Sequence, residues 1–346
     1  MKTMVLVLSV FLGSQAFGTK ARVNSLQGAR FLTDVQYFFE NPAQLMKTDN
    51  LLVFEAGPST ATSSDNVKAE GGIFKNFSNG FRGGFYLGHT DDTESIVRGQ
   101  YSTTLLVPEN PVYAFVGRGD WGASLGFSRS DKGTTDAKQE FLQASFGVDK
   151  GVYELWGNLD LSQSARTGTT DYKGAPGLNL GGEYQFKDGY YVTGNLFYKK
   201  TDSSTGGVSS DGNIKGASVT FLDRTIKGEQ YLIYYGPGLN YANWDFKGPD
   251  LSTLTLPLYI GIQYQMKDWL VLRSSISQNL ILGSTKDERA TAPGNKRDTV
   301  ANNTKVTVGA GASWKQLTLD ATFAGSTNGQ VDGGNLLANA GLTFSF

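Results

Sequence analysis

The last twelve residues of the chain, NLLANAGLTFSF, alternate with a period of two and stop on an aromatic. Leu336, Ala338, Ala340, Leu342, Phe344 and Phe346 fall on one face. Asn335, Asn339, Gly341, Thr343 and Ser345 fall on the other, with Leu337 as the exception. That period marks a strand whose two faces meet different surroundings. A strand at the end of a chain must find a partner elsewhere or leave an open edge.

The same alternation recurs upstream. Leu254, Leu256, Leu258, Ile260, Ile262, Tyr264 and Met266 oppose Thr255, Pro257, Tyr259, Gly261, Gln263 and Gln265. Val306, Val308, Ala310, Ala312 and Trp314 oppose Lys305, Thr307, Gly309, Gly311, Ser313 and Lys315. Leu178, Leu180, Gly182, Tyr184 and Phe186 oppose Asn179, Gly181, Glu183 and Gln185. These runs span about 9 to 13 residues, whereas soluble strands cluster near 5 to 6 and a tilted strand crosses a bilayer in about 9 to 11. Connections tell the same story. Short turns are expected at Asn76–Gly80, Gly117–Asp120, Asp149–Gly151, Lys187–Gly189, Gly236–Gly238, Met266–Asp268 and Lys315–Gln316. Between them fall longer polar stretches: Pro58–Asn66, Thr90–Asn110, Ser130–Asp136, Gln163–Pro176, Thr201–Lys227, Gly248–Ser252, Gly283–Asn302 and Ser326–Gly334. Alternating short turns and long loops are the pattern of a membrane barrel with periplasmic turns and extracellular loops.

These features predict an all-β fold, an antiparallel transmembrane β-barrel of about 16 strands, with 14 as the alternative and 12 as the lower bound. Two segments leave the count open. Val97–Val107 is a strand extension or a loop hairpin, and Lys215–Leu222 is a strand inside the long fifth loop. Closure implies that the terminal strand pairs with the first one, near Leu51–Gly57. The ending itself resembles that of bacterial outer-membrane barrels, and implies that Phe344 and Phe346 are read by the barrel-assembly machinery.

Composition agrees. The 44 glycines are nearly twice the usual ~7% share, and 21 Phe with 16 Tyr favour strands and interfacial girdles. Mean hydropathy is −0.28, and no later stretch reaches the ~18 apolar residues of a membrane helix. Residues 1–18 read as a signal peptide: Met1-Lys2, an apolar run Val5–Leu12, then Ala16-Phe17-Gly18. Cleavage is expected after Gly18, with Ala16 as the alternative. The mature chain then carries a formal charge of about −2, which is no nucleic-acid-binding balance. Cysteine is absent, so stability must come from strand pairing and packing.

Residues 19–50 do not alternate. Arg30–Glu40 places Phe31, Val35 and Phe38 on one helical stripe, with Leu32 and Phe39 beside it. Asn41 followed by Pro42 and Ala43 is a helix start, Asn at the cap and Pro at the first position. A short helical segment ahead of a barrel sits in the lumen as a plug or lies across the periplasmic mouth. Here the chain resembles the long-chain fatty-acid and hydrocarbon transporters of the outer membrane, which carry an NPA motif just before the barrel. That resemblance implies 14 strands, an N-terminal plug and hydrophobic substrates, with Phe31, Phe38, Phe39, Asn41, Pro42 and Ala43 in the plug or against a ligand. The chain also resembles general porins, in mature length and strand count. In those a long third loop narrows the pore, whereas the third connection here, Ser130–Asp136, is short.

With residues 51–346 as a barrel and apolar faces toward lipid, Arg82, Glu154, Asp160, Glu183, Lys199, Arg273, Lys305, Lys315 and Asp320 point inward. An Arg or Lys facing lipid near the midplane would cost about 2–4 kcal/mol. Charges of both signs in the lumen fit a water-filled passage for small solutes. Chemistry is harder to build. His89 is the only histidine; Asp91, Asp92, Glu94, Ser95 and Ser102 lie nearby in sequence, but a triad is defined by geometry. One His and no Cys leave only carboxylates as further metal ligands. Gly83-Gly84 and Gly181-Gly182 lie inside strands and lack the context of a phosphate loop. The expectation is a non-enzymatic, porin-like channel without cofactor or metal, in the outer membrane, in contact with lipid and lipopolysaccharide. Two other readings are a transporter of hydrophobic molecules and a surface-interaction barrel acting through Thr201–Lys227 and Gly283–Asn302. A homo-oligomer is compatible with each.

Overall fold

A computed structural model of the chain describes residues 19–58, 67–90, 92–108, 110–133, 136–246, 251–280, 284–287, 297–298, 304–327 and 336–346. The signal-like residues 1–18 and most of the loops at 59–66, 288–296 and 328–335 lie outside them. The alternating runs form one sheet. Its strands begin with β1 (Leu51–Pro58), β2 (Val67–Asn76), β3 (Phe81–Leu87), β4 (Val112–Arg118), β5 (Trp121–Lys132), β6 (Ala137–Asp149) and β7 (Tyr153–Thr167). β8 (Thr170–Lys173) and β9 (Gly177–Lys187) lie end to end between β7 and β10 (Tyr190–Thr205). β11 (Val208–Asp223) and β12 (Tyr231–Phe246) follow. The next three staves are each built from two strands. They are β13 (Leu251–Thr255) with β14 (Pro257–Lys267), β15 (Leu270–Asn279) with β16 (Ser284–Asp287), and β17 (Arg297–Asp298) with β18 (Thr304–Trp314). β19 (Leu317–Thr327) and β20 (Leu336–Ser345) complete the circuit.

β20 pairs with β19 on one side and β1 on the other, from Leu51 opposite Ser345 to Ala56 opposite Ala340. The sheet therefore closes. Twenty strands in which four pairs share a stave make sixteen antiparallel staves. Closure leaves no edge strand to aggregate.

Outer and inner faces differ as the period of two requires. Phe54, Phe85, Leu125, Phe146, Leu159, Leu180, Leu196, Ile260, Val308, Leu319 and Phe323 stand exposed on the outside. They come from ten different strands, so they form a band around the wall. Soluble monomers rarely expose more than a few hundred Å² of continuous apolar surface. Phe344 and Phe346 join this outer face, with ring centroids 6.3 Å apart.

The wall departs from the sequence reading in one sector. Gly236–Gly238 is not a turn. It lies within β12, where Gly236 sits opposite Tyr259 and a Cβ on it would come 1.9 Å from the Phe221 carbonyl oxygen. The turn is residues 224–230 instead. Thr201–Lys227 is not a loop either: β10 runs to Thr205, Gly206 and Gly207 turn with positive φ, and β11 returns from Val208. One hairpin gained and one lost leave the count at sixteen. The missed strand ends read SSTGG and VSSDG. Both faces there meet water, so pairing continues while the hydrophobic period disappears. β7 and β8 extend in the same way through most of Gln163–Pro176.

Two segments occupy the interior. Residues 19–50 lie within the barrel, toward the end that carries the short turns, as helix α1 (Lys20–Ser25) and two 3-10 turns, Val35–Phe39 and Pro42–Lys47. From the opposite end the connection 88–111 folds inward. It contains helix α2 (Asp92–Tyr101) where a strand or hairpin was expected. Val97 and Leu105 pack there with Tyr172 and Ile214 of the wall.

Candidate functional site

The N-terminal segment is built from capped turns. The Asp34 carboxylate accepts the Gln36 N–H to start the first, and Asn41 Oδ1 accepts the Ala43 N–H at 3.1 Å to start the second, with Pro42 at its first position. Helix therefore covers only Val35–Phe39 of the Arg30–Glu40 stripe. Phe38 and Phe39 pack edge-on against Phe74, Tyr86, Tyr113 and Phe115. This explains the apolar residues on the inner faces of β1, β2 and β4: Leu51, Val53, Phe74 and Phe115 are buried against the segment, not against water. Phe31 sits apart, between Tyr191 and Tyr234 and beneath the Arg224 guanidinium.

Polar anchors hold this plug to the wall at three places. Glu154 on β7 accepts from Asn41 Nδ2 at 2.9 Å, Gln44 Nε2 at 2.8 Å and Lys47 Nζ at 2.9 Å. Lys47 also pairs with Asp149 at 2.5 Å. Arg30 approaches Glu154 at 3.8 Å and lies over the Tyr37 and Trp156 rings. The second anchor is Glu55 on β1, which accepts from the Tyr86 hydroxyl, the Gln36 amide and the Lys20 backbone N–H. Beside it Glu70 pairs with Lys20 at 3.2 Å. The third is Asp320, which pairs with Arg273 at 2.6 Å and accepts from Thr19 Oγ1 at 3.5 Å.

Two wall glycines let the plug come this close. A Cβ on Gly122 would lie 2.3 Å from the Pro42 carbonyl oxygen, and one on Gly147 would lie 1.8 Å from Asn41 Oδ1. Asn41, Pro42 and Ala43 thus rest on bare backbone of β5 and β6.

Between plug and inward loop lies a chamber of about 640 Å³. The plug contributes Tyr37 and Phe39, the loop His89 and Glu94, the wall Asn158 and Lys199 among others. On the loop side a charge network closes it. Lys199 contacts Glu94, Gln163 and, at 3.4 Å, Asp160; Glu94 pairs with Arg98 at 2.6 Å; Gln143 donates to Asp160 at 3.0 Å. Buried ions need such partners, because desolvation otherwise exceeds the attraction. A second cavity of about 790 Å³ opens beyond, lined by the polar ends of β5 to β11, with Ser130, Gln139, Ser164, Ser203 and Ser210.

The expected lumen charges therefore divide. Asp160 and Lys199 line the chamber. Glu154 and Asp320 hold the plug, Arg273 pairs with Asp320, and Arg82 also holds the plug, donating to the Leu45 and Met46 carbonyls at 3.0 and 2.8 Å. Glu183 accepts from Thr193 Oγ1 on the inner face, and Lys305 offers its carbonyl to Gln27. Lys315 does not line the lumen: it is exposed in the β18–β19 turn, beside the Trp314 ring. The sequence reading missed Glu55, Glu70, Gln143, Gln163, Asn158, Asn179 and Asn195. Asn158 shares parity with Glu154 and Asp160, which was the available signal.

His89 stacks on Phe39 at 3.5 Å, and its Nδ1 faces Glu70 at 3.5 Å. Ser102 bonds locally to Thr104. Asp91 and the Asp92 and Ser95 side chains lie outside the described residues.

No protein-family model matches the chain, and no curated protein matches it in sequence. Among solved structures it is similar to a bacterial polysaccharide outer membrane secretin, with 11% identity, a TM-score of 0.53, and coverage of 86% of this chain and 98% of that one. The outer membrane channel DcaP of Acinetobacter baumannii matches over 86% of this chain and 96% of its own, with 12% identity and a TM-score of 0.43. The toluene transporter TodX of Pseudomonas putida matches over 95% and 98%, with 10% identity and a TM-score of 0.41. At such identity the first likeness shows the fold alone: a β-barrel of the outer-membrane type.

Proposed function

We propose that the protein is an outer-membrane channel whose lumen is closed at rest from both ends, by residues 19–50 on the periplasmic side and by α2 on the extracellular side. Export would use residues 1–18, and assembly would read the strand ending in Phe344 and Phe346. Lipid and lipopolysaccharide would cover the apolar band. The observation that carries this reading is a chamber with charged and amide side chains in its lining, inside a wall whose outer face is apolar. A wall of sixteen staves is too wide for its own side chains to fill, and here two separate segments fill it. Solutes would pass when the plug shifts from its Glu154, Glu55 and Asp320 anchors.

Planar-bilayer recording tests this. The intact chain should conduct rarely, and deletion of Thr19–Lys47 should give frequent or permanent openings. A deletion protein that folds into the bilayer and carries no current would sink the proposal. A transporter of hydrophobic molecules is the second reading, supported by Phe39, Tyr113 and Phe141 on one side of the chamber. Saturable decanoate binding inside the barrel, without ion conductance, would favour it. Phe31 and Phe38 do not serve that reading, since both are packed away from the chamber.

A further inference from the structure

The chamber wall carries a patch of uncharged hydrogen-bonding groups between two charged zones. Asn158 of β7 and Asn179 of β9 sit directly opposite each other across the two strands. Asn195 of β10 pairs with Gly181, two residues along β9 from Asn179. All three line the chamber, and the side-chain oxygen of each is buried with no hydrogen-bond partner among the described residues. Toward the loop end the next residues are Asp160 and Lys199, already paired with each other. Toward the turn end lie Glu154, already paired with Lys47, and opposite it Glu183, which accepts from the Thr193 hydroxyl. Across the chamber the plug presents Tyr37 and Phe39.

Each part of this arrangement restricts the ligand. Asp160, Lys199 and Glu154 already have counter-ions, so at the three amides a charged solute would compete with existing pairs. An apolar solute would leave three buried carboxamide oxygens without a donor, which is costly. A carboxamide both donates and accepts, as a hydroxyl does, so amides in a row match adjacent hydroxyls. The aromatic side offers contact to the C–H face of a ring. The volume lies within the usual range of small-molecule sites. We propose that this chamber binds a neutral polyhydroxylated solute such as a sugar, its hydroxyls on Asn158, Asn179 and Asn195 and one face on Tyr37 and Phe39. It rests on the channel reading only in placing the chamber on the solute's route.

The test is calorimetric titration of the full-length mature protein in detergent with maltotriose, sucrose and myo-inositol, set against gluconate and decanoate. At least one neutral polyol should bind saturably, and more tightly than gluconate or decanoate. Asn179→Leu and Asn195→Leu should each weaken that binding about tenfold, while Ser203→Ala in the outer cavity leaves it unchanged. A heat-modifiable gel band reports folding; where a leucine variant fails it, the serine variant replaces it with the same expectation. No saturable binding of any of the three polyols, stronger binding of decanoate, or unchanged affinity in folded variants would overturn the inference. Conductance of the plug-deleted protein, with no polyol binding by the full-length mature protein, removes this inference alone. Polyol binding by a protein that never conducts removes the channel reading alone.

Discussion

Asn41 caps the Pro42–Lys47 turn with its carbonyl oxygen and binds Glu154 with its amide nitrogen, so one side chain shapes the plug and fastens it. Replacing it by Ala removes a cap worth about 1 kcal/mol and one donor to a buried carboxylate. Asn41→Ala should therefore raise open probability in bilayer recordings without changing the assembled yield. Gly147→Ala should open the channel further, because its methyl meets the Asn41 side chain at 1.8 Å and the plug must move away. Glu154→Ala should have the largest effect of the three, since Asn41, Gln44 and Lys47 lose a shared acceptor; breaking such a buried cluster costs about 3–5 kcal/mol. Proteolysis of residues 19–50 in detergent is a second readout, with the three variants expected in the same order. The cap was legible in sequence because Asn followed by Pro is a local signal. Its acceptor lies over a hundred residues away, and no local pattern links the two.

At the scale of elements, α2 shows what a period of two conceals. Its Glu94 and Arg98 are four residues apart and form a pair at 2.6 Å, a helical spacing. A reading tuned to alternation looks past it. Glu94 also bridges to Lys199 on β10, so it ties the inward loop to the wall. Glu94→Ala would leave Arg98 without its carboxylate and leave Lys199 to Asp160 and Gln163. The expected result is a larger single-channel conductance in the plug-deleted background, with Ser102→Ala at the exposed end of the same loop as the unchanged control. The hairpin of β10 and β11 fails in the opposite way. Its ends are strands that carry no hydrophobic signature, since pairing is backbone chemistry and patterning records only what the side chains face. Strand existence was therefore readable inside the apolar band and unreadable beyond it.

For the whole molecule, the band fixes the register of every stave, because a shift by one residue exchanges its faces. Leu159 and Gln143 lie in neighbouring strands and face opposite ways: Leu159 is exposed outside, and Gln143 lines the chamber. Leu159→Arg should lower folding stability in lipid vesicles by about 2–4 kcal/mol, measured by denaturant titration. Gln143→Arg, which places its cation beside Asp160, should change it far less. Equal losses in both would contradict the assignment of faces. Phe346→Ala should reduce assembled barrel in outer-membrane fractions and leave refolding in detergent intact, if that ring acts as a recognition signal rather than as packing.

Alternation, strand length and turn spacing point to a closed antiparallel barrel of about sixteen strands, since two-faced strands of this length match the span of a bilayer; the pairing of the strands fixes the count at sixteen staves. They also place the polar residues inside. The tertiary structure alone decides what those residues do there. Glu154 and Asp320 read as pore charges and are plug anchors, with Arg273 paired to Asp320, and Leu51, Val53, Phe74 and Phe115 face inward because the plug covers them. A period records the medium on each side of a strand. It carries no trace of a second segment of the same chain that replaces water on the inner side.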